Sequence, residues 1–425
     1  MSNKRIYYGW VVLAVGFLTM LGGYACRNTF SVFYPAIVDE FGWTRGNTAL
    51  IFSLNVFVYG LVAPVAGSLV DRFKPQYVLA TGAIFMGIGM AGCSLANAPW
   101  QFYALYGVLA AIGLSMAGFA PIAALIANWF MRRRALAFGI LGAGFGISLI
   151  FASGAQYIIS AFGWRSAYIA VGLFVALVVA PTCVAFVRRS PRDKGLVSEE
   201  VAAEKTTDAV GAPELTAKGH TWRRTDWTLR DAIRTRQYWL FFAMFILSVG
   251  IVEQVAISHQ VYFYLDAGYG PMRAATFYGV FGICFAIGNI AGALSDTMGR
   301  ERFFVPTCLV CAGFVALYFL MQDASTPWLP ILISIGFGLC FGAVPCVLNA
   351  ALADLFHGRH YGKILGTMIM GFAIGGTVGP WLAGYLYDVT GTHTSIYVVI
   401  IVSLIAIAAM MWLAAPRKLS PVGRE

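Results

Sequence analysis

Twelve stretches of this 425-residue chain are each long and apolar enough to cross a hydrocarbon layer, and they leave little of the chain for anything else. A spanning helix needs about 20 mostly apolar residues. The stretches lie near 9–37, 45–70, 76–96, 100–127, 134–158, 165–187, 238–265, 272–295, 303–322, 328–354, 362–387 and 393–414. Backbone N–H and C=O groups find no water in hydrocarbon, so each stretch must satisfy its own hydrogen bonds as a helix. Charged residues make up only 11% of the chain, against roughly 25% in soluble domains, which is too few to coat a globule. The 47 glycines agree, since small residues let membrane helices approach closely. The expected fold is an all-α membrane protein of twelve transmembrane helices. The short basic start, Met1 to Arg5, leads into an apolar run too long for a cleaved leader, so it reads as a first span that stays.

A net charge of +10 would suit nucleic acid if the basic residues formed a patch. They do not. With the N-terminus placed in the cytoplasm, 25 of the 29 lysines and arginines fall in cytoplasmic segments and only Arg45, Arg165 and Arg273 fall outside, with Arg27 left within a span. That bias is the positive-inside pattern. It predicts cytoplasmic N- and C-termini in a plasma membrane of the bacterial inner-membrane type. It also accounts for the basic charge through a lipid bilayer partner and no nucleic acid.

The segment 188–236 is the one long polar stretch and carries Pro191, Pro213, Gly195 and Gly211. It divides an N-terminal six-helix bundle, 1–187, from a C-terminal one, 237–425. Its end, from Thr228 to Gln237, has the pattern of an interfacial helix. The halves repeat weakly. Gly67-x-x-x-Asp71 and Gly292-x-x-x-Asp296 are 225 residues apart, and Pro121 and Pro345 are 224 apart; the two prolines are expected to kink spans four and ten. Gly362-Lys-Ile-Leu-Gly opens span eleven much as Ala135-Leu-Ala-Phe-Gly-Ile-Leu-Gly opens span five. Two pseudo-symmetric bundles with a site between them near the midplane is the architecture of a secondary transporter.

With these residues in view the chain resembles the major facilitator superfamily over essentially its whole length. Asp71-Arg72, with the weaker copy Asp296…Gly299-Arg300, is similar to the family's signature in the loops after spans two and eight. Within the family the chain resembles the monocarboxylate-porter and oxalate–formate-antiporter group. The residues that carry this are Tyr8-Gly9-Trp10, Glu40-Phe41-Gly42-Trp43, Trp129-Phe130 with Arg132-Arg133-Arg134, and Phe162-Gly163-Trp164-Arg165. The resemblance implies alternating access between the halves. It also implies that Asp71, Arg72, Asp296 and Arg300 act as gating or structural ties at the cytoplasmic helix ends. The chain departs from the group in one respect. Members usually hold the substrate carboxylate with a basic residue in span eight, sometimes helped by one in span eleven. Here neither Ala274 to Leu294 nor Ile364 to Tyr387 contains a charge.

An ionisable group inside a span costs about 2.5 kcal/mol or more at the helix centre, so it is expected to face a cavity or a partner. Three stand out: Arg27 in span one, and Glu253 and His259 in span seven. Asp354 and Lys363 lie near span ends and reach the interface. Tyr24, Ser31 and Tyr34 share a helical face with Arg27. A guanidinium stays charged when desolvated and takes a carboxylate through two hydrogen bonds, so Arg27 reads either as a relocated anion anchor or as a structural charge paired with Glu253. Glu253 lies close to Arg27's equivalent position in the repeat. Burial and a nearby arginine act in opposite senses on a carboxyl, which suits such a group to bind and release a proton. His259, Asn55 and Tyr278 lie at similar depths and are candidate substrate contacts, or else interhelical packing residues. The eight cysteines all fall in apolar segments and read as packing residues. The glycine runs of spans five and eleven lack the strand and lysine of a phosphate loop and read as close-packing surfaces.

No nucleotide motif, metal cluster, haem motif or nucleophile–base pair is present in the sequence, so the expectation is a non-enzymatic protein without cofactor, working as a monomer. The first reading is a transporter of a small organic anion, monocarboxylate-like and coupled to protons. A transporter of the same fold for an amphipathic drug, an amino acid or exchanged dicarboxylates is the alternative, and a transporter-like sensor without flux is a further one.

Overall fold

The computed structural model describes residues 8–127, 129–130, 134–189, 227–356 and 361–414 of the chain. Among these residues every regular element is helical. The spanning helices are α1 (Tyr8–Phe41), α2 (Arg45–Arg72), α3 (Pro75–Cys93), α4 (Pro99–Ala127), α5 (134–162), α6 (164–186), α7 (Arg236–Asp266), α8 (Pro271–Leu294), α9 (Arg300–Leu320), α10 (Trp328–Leu355), α11 (Tyr361–Thr390) and α12 (Thr394–Ala414). The stretch Ile140–Phe186 contains 47 residues of nearly continuous helix. At 1.5 Å per residue that is about 70 Å, twice a hydrocarbon core. It is divided at Gly163, whose φ of 81° and ψ of 161° only glycine adopts easily, so it counts as two spans and the total is twelve. Most of the loop predicted at 188–236, including residues 190–226, lies outside the described residues. At its end, the expected helix over 228–237 is split. Leu229–Ile233 forms one short helix capped by Thr228, and Thr235 caps a new start at Arg236.

Several spans are broken near their middles. In α1 the helix turns at Thr29, whose hydroxyl donates back to the Ala25 carbonyl at 2.8 Å, a bond that bends helices. The break in α4 falls at Gly118 (φ −91°, ψ −161°) rather than at Pro121, which sits early in the new helix Phe119–Ala127. Pro345 lies inside a helix that continues from Trp328 to Leu355. Wider, π-helical turns occur at Tyr103–Ala110, Val175–Val179 and Ile246–Val252.

The two halves meet along α2 against α11 and α5 against α8. The glycines of α5 are used here. A Cβ on Gly282 would lie 2.4 Å from the Leu149 Cβ and 2.6 Å from the Gly146 carbonyl. Large apolar side chains such as Leu61, Leu177 and Val402 point outward, as a lipid-facing surface requires. Two clusters explain the family-like motifs. At one end of the N-terminal half, Glu40 accepts hydrogen bonds from the Trp164 indole and from Arg165, while Phe41 stacks on Trp43 with ring centroids 4.5 Å apart. At the other end, the Tyr8 hydroxyl donates to the Phe186 carbonyl at 2.8 Å and Trp10 packs edge-on against Phe130.

Replacing Gly282 by valine forces α8 away from α5, and the expected cost is about 1–3 kcal/mol, visible as a lowered thermal midpoint of the purified protein. Gly154→Ala, at a site where nothing lies within 4 Å of the added methyl, should leave the midpoint unchanged. Equal midpoints for both variants would disprove the packing account.

Candidate functional site

Every residue of α1 from Gly22 to Tyr34 is buried, and so is every residue of α7 from Val252 to Tyr264. A helix covered on all sides is wrapped by other helices, so these two segments form the centre of the molecule. Arg27 lies in the first segment, just before the bend at Thr29, and is 3% exposed. Its Nη2 donates to Oε1 of Gln254 on α7, which joins the two halves at this depth. Its Nε has no hydrogen-bond partner. The guanidinium carbon lies 5.5 Å from the ring centroids of Phe52 and Tyr59 and 5.9 Å from that of Phe372. Aromatic faces partly offset the cost of a buried cation. Among the described residues, no carboxylate lies within ion-pair distance of Arg27.

Glu253 is 8% exposed and stands beside the guanidinium without touching it. Its Oε1 accepts from Gln254 Nε2 at 3.3 Å, and that same amide nitrogen lies 3.3 Å from the Val249 carbonyl in the π-helical turn. A neutral amide therefore separates the acid from the base.

The other predicted residues divide into two groups. Tyr24, Asn55 and Tyr278 gather around Arg27. The Tyr24 hydroxyl is 3.5 Å from that of Tyr59. Asn55 donates to the Tyr106 carbonyl at 2.8 Å, and the Tyr106 hydroxyl donates to the Arg27 carbonyl at 3.0 Å. Tyr278 brings α8 against both central helices, with its hydroxyl 3.1 Å from the Ile257 carbonyl and 3.4 Å from that of Asn28. His259 stands apart from Arg27. Its Nδ1 is 2.8 Å from the Ser258 hydroxyl and its ring packs edge-on against Tyr34 at 5.3 Å. The side chains of Asp71 and Asp296 lie outside the described residues, and Arg72 is exposed. Arg300 binds Asp354 at 2.8 Å and the Ser295 hydroxyl at 2.6 Å.

Beyond His259 the halves are tied a second time, by residues that sequence reasoning passed over. Arg45, at the start of α2, donates to both carboxylate oxygens of Asp266, at 2.5 and 2.9 Å, from the end of α7. The guanidinium carbon is 4.0 Å from the Tyr262 ring centroid and 3.7 Å from that of Tyr387. Asp388 of α11 accepts the backbone N–H groups of Arg45 and Gly46 at 3.0 and 2.7 Å. An acid from one half thus caps the open N-terminus of a helix in the other. His393, between α11 and α12, contacts Asp266 at 2.6 Å through Nε2. Gln254 was detectable in the sequence, since its offset of 227 from Arg27 fits the repeat as well as Glu253 does. The Arg45 cluster carried a weaker signal, because a charge at a span end usually means only that it reaches water.

A family model described as Major Facilitator Superfamily matches residues 12–356 and 331–425. The chain belongs to the major facilitator superfamily. Among similar members, monocarboxylate transporter 13 of Rattus norvegicus is 26% identical over 396 residues, covering 92% of this chain and 85% of the relative. Monocarboxylate transporter 2 of Homo sapiens is 25% identical over 422 residues, covering 96% and 84%. The fold is similar to that of a bacterial homolog of the human lysosomal transporter Spinster, with a TM-score of 0.64, 18% identity, and coverage of 99% of this chain and 97% of that one. This major facilitator chain is accordingly a multi-pass transporter of the family rather than an enzyme, and it bears the expected resemblance to monocarboxylate transporters.

Two outcomes are expected for the Arg45 cluster. Asp266→Asn leaves Arg45 with a poorer partner and should destabilise the protein by about 1–3 kcal/mol. It should also raise hydrogen–deuterium exchange in 38–46 and 387–393; unchanged exchange there would mean that the cluster does not hold the halves. The second outcome concerns pH. Burial holds the His393 imidazole below its ordinary range, and the hydrogen bond to Asp266 opposes that pull. The closed cluster therefore favours the neutral ring. Its contribution is full above about pH 6.5 and declines as pH falls below that, where a solvated histidine takes up a proton. The same exchange measurement should show protection at pH 7.5 fading towards pH 5.5, with less of a change in His393→Gln.

Proposed function

We propose that this chain is a secondary active transporter of a small organic anion, of monocarboxylate type, that works by alternating access and is coupled to protons. The observation that carries the reading is Arg27. A permanent cation is buried between the two halves, and no carboxylate among the described residues lies within ion-pair distance of it. The Nε and Nη2 of an arginine form one edge of its fork, the edge on which a carboxylate binds through two parallel hydrogen bonds. Here that edge holds one amide oxygen and an unpartnered N–H. A substrate carboxylate would supply the missing charge and fill both positions. The names of the monocarboxylate-transporter relatives support the same substrate class. Arg27 would then do from α1 what the group usually does from span eight.

Coupling falls to Glu253. A buried carboxyl within the field of Arg27 holds its negative charge most easily while Arg27 is uncompensated. Once an anion occupies Arg27, that support weakens and a proton on Glu253 is favoured. Anion and proton then travel together as a neutral pair, and neutral contents allow the halves to rock past a low-dielectric barrier. Tyr24, Asn55 and Tyr278 would shape the pocket around the anchor. The Arg45–Asp266–Asp388 cluster would close one end of the pathway, which the lysine and arginine bias assigns to the outer face of a bacterial inner membrane. By the same bias both termini lie in the cytoplasm.

Uptake of labelled acetate, L-lactate, pyruvate and oxalate into membrane vesicles, with and without an inward proton gradient, tests the reading. Arg27→Ala should lower uptake of the transported acid about 100-fold or more, equivalent to losing a charge-assisted pair of about 3 kcal/mol, while the thermal midpoint persists. Glu253→Gln should retain anion exchange and lose stimulation by the gradient. Uptake unaffected by Arg27→Ala would remove the anion-anchor reading, and a gradient effect unaltered in Glu253→Gln would remove the coupling role.

A further inference from the structure

We infer that Gln254 is the relay between substrate and proton: its side-chain amide occupies Arg27 as a neutral placeholder, and displacement by a substrate carboxylate reverses the hydrogen bond between Gln254 and Glu253. The inference rests on the anion-transport reading above and deepens it.

The geometry has three parts. First, Gln254 is fully buried, so its amide groups have no solvent to satisfy them and must choose partners within the protein. Its Oε1 accepts from Arg27 Nη2, and its Nε2 is 3.3 Å from the Glu253 carboxylate. Second, the guanidinium edge is only half used, because Nε next to Nη2 has no partner. A single amide oxygen is a weaker ligand for a cation than a carboxylate, which brings both a charge and a second oxygen. An incoming anion therefore has an affinity advantage over the placeholder on the same two atoms. Third, the side chain is confined: a Cβ on Gly376 of α11 would lie 3.1 Å from Gln254 Cγ. The amide group can turn about its last bond, but the stem has little room to leave.

The consequence follows from donor and acceptor inventories. An amide carries one accepting oxygen and one donating nitrogen, whereas a carboxyl only accepts when ionised and gains an O–H donor, keeping one accepting oxygen, when protonated. While Oε1 is held by Arg27, the nitrogen faces Glu253, and the ionised carboxylate is the stronger acceptor for it. When a substrate carboxylate takes Nε and Nη2, Oε1 loses its partner. Rotated towards Glu253, at the loss of the contact between Nε2 and the Val249 carbonyl, it is satisfied only if that carboxyl carries a proton to donate. The proton comes from solution, and one proton accompanies one anion. Gln254 thus converts occupancy of Arg27 into a preference for protonated Glu253 by hydrogen-bond polarity, in addition to the direct field between the two charges. This makes it a positioning residue that acts through Arg27 and Glu253.

The test uses the full chain in lipid nanodiscs and calorimetric titration with acetate, L-lactate, pyruvate and oxalate, repeated in two buffers of different ionisation enthalpy so that protons taken up per anion are counted. Wild type should take up close to one proton per anion near neutral pH. Gln254→Leu removes the placeholder and the relay. The anion should bind as tightly or up to about tenfold tighter, with proton uptake reduced by at least half. A residue that merely packs would give weaker binding and unaltered proton uptake, and that result would overturn the inference. Gln254→Glu installs a carboxylate on Arg27 and should weaken binding about tenfold or more at neutral pH, with recovery as the pH is lowered; unweakened binding would equally overturn it. Should the leucine variant fail to fold, the glutamate variant, which keeps size and shape, decides alone. Binding of none of the four acids by wild type, or binding retained in Arg27→Ala, would instead defeat the anion-transport reading, and the relay with it.

Discussion

A guanidinium cannot shed its charge in a low-dielectric interior by giving up a proton, as a lysine or histidine can, or as a carboxylate does by taking one up. Its charge must be met by the surroundings at every stage of the protein's cycle. That requirement organises the middle of this molecule. The ring faces of Phe52, Tyr59 and Phe372 surround Arg27 from α2 and α11, and Gln254 meets it from α7. These helices belong to both halves, so the same contacts that make the cation tolerable also draw the halves together. None of the contacts supplies a negative charge. The charge is thus tolerated but unpaired, which is what the anion-anchor proposal builds on.

The two ties between the halves differ in kind. At the centre, the bond from Arg27 to Gln254 joins a charge to a neutral group and is open to competition. Near the start of α2, Arg45 meets a full carboxylate at Asp266 in a bidentate pair, clamped between two tyrosine rings. Such a partly buried pair is strong when made and costly to leave half-made, which suits an element with two discrete states. Under the alternating access proposed above, the intervening surfaces would slide or part as units. The α5–α8 contact at Gly146 and Gly282 is close because each glycine lets the facing backbone approach, with Leu149 and Ala286 packed beside them.

The fold was legible in the sequence because hydrocarbon imposes a simple rule on every span: about 20 apolar residues, helical, with basic residues to one side. The exceptions have physical reasons. Spans five and six were separable in the sequence, although the structure runs them together as 47 residues of nearly continuous helix divided at Gly163 without a polar loop. The bend expected at Pro121 falls at Gly118, since a proline near a helix start costs no hydrogen bond. At the site, Arg27 and Glu253 were visible as isolated charges in apolar segments, and their mutual depth followed from the repeat. The intervening amide was harder to see. An uncharged glutamine in a span carries no cost signal comparable to that of an arginine. Asp266, Asp388 and His393 were obscure for a related reason: each sits at a helix end, where a polar residue is ordinary, and only the three-dimensional closure brings them to Arg45.

One backbone feature decides what Arg27 meets. The π-helical turn at Ile246–Val252 lies immediately before Glu253. Such a turn takes up about one more residue than an α-helical turn and so sets everything after it back by about 100° around the axis. In a regular helix built on the same N-terminal half of α7, residue 253 would occupy the place that residue 254 now holds. The cation would then face a carboxylate and form a closed internal salt. A single residue's worth of helical phase thus separates an inert pair from a vacancy in charge, and the chain keeps that phase in its backbone rather than in any side chain.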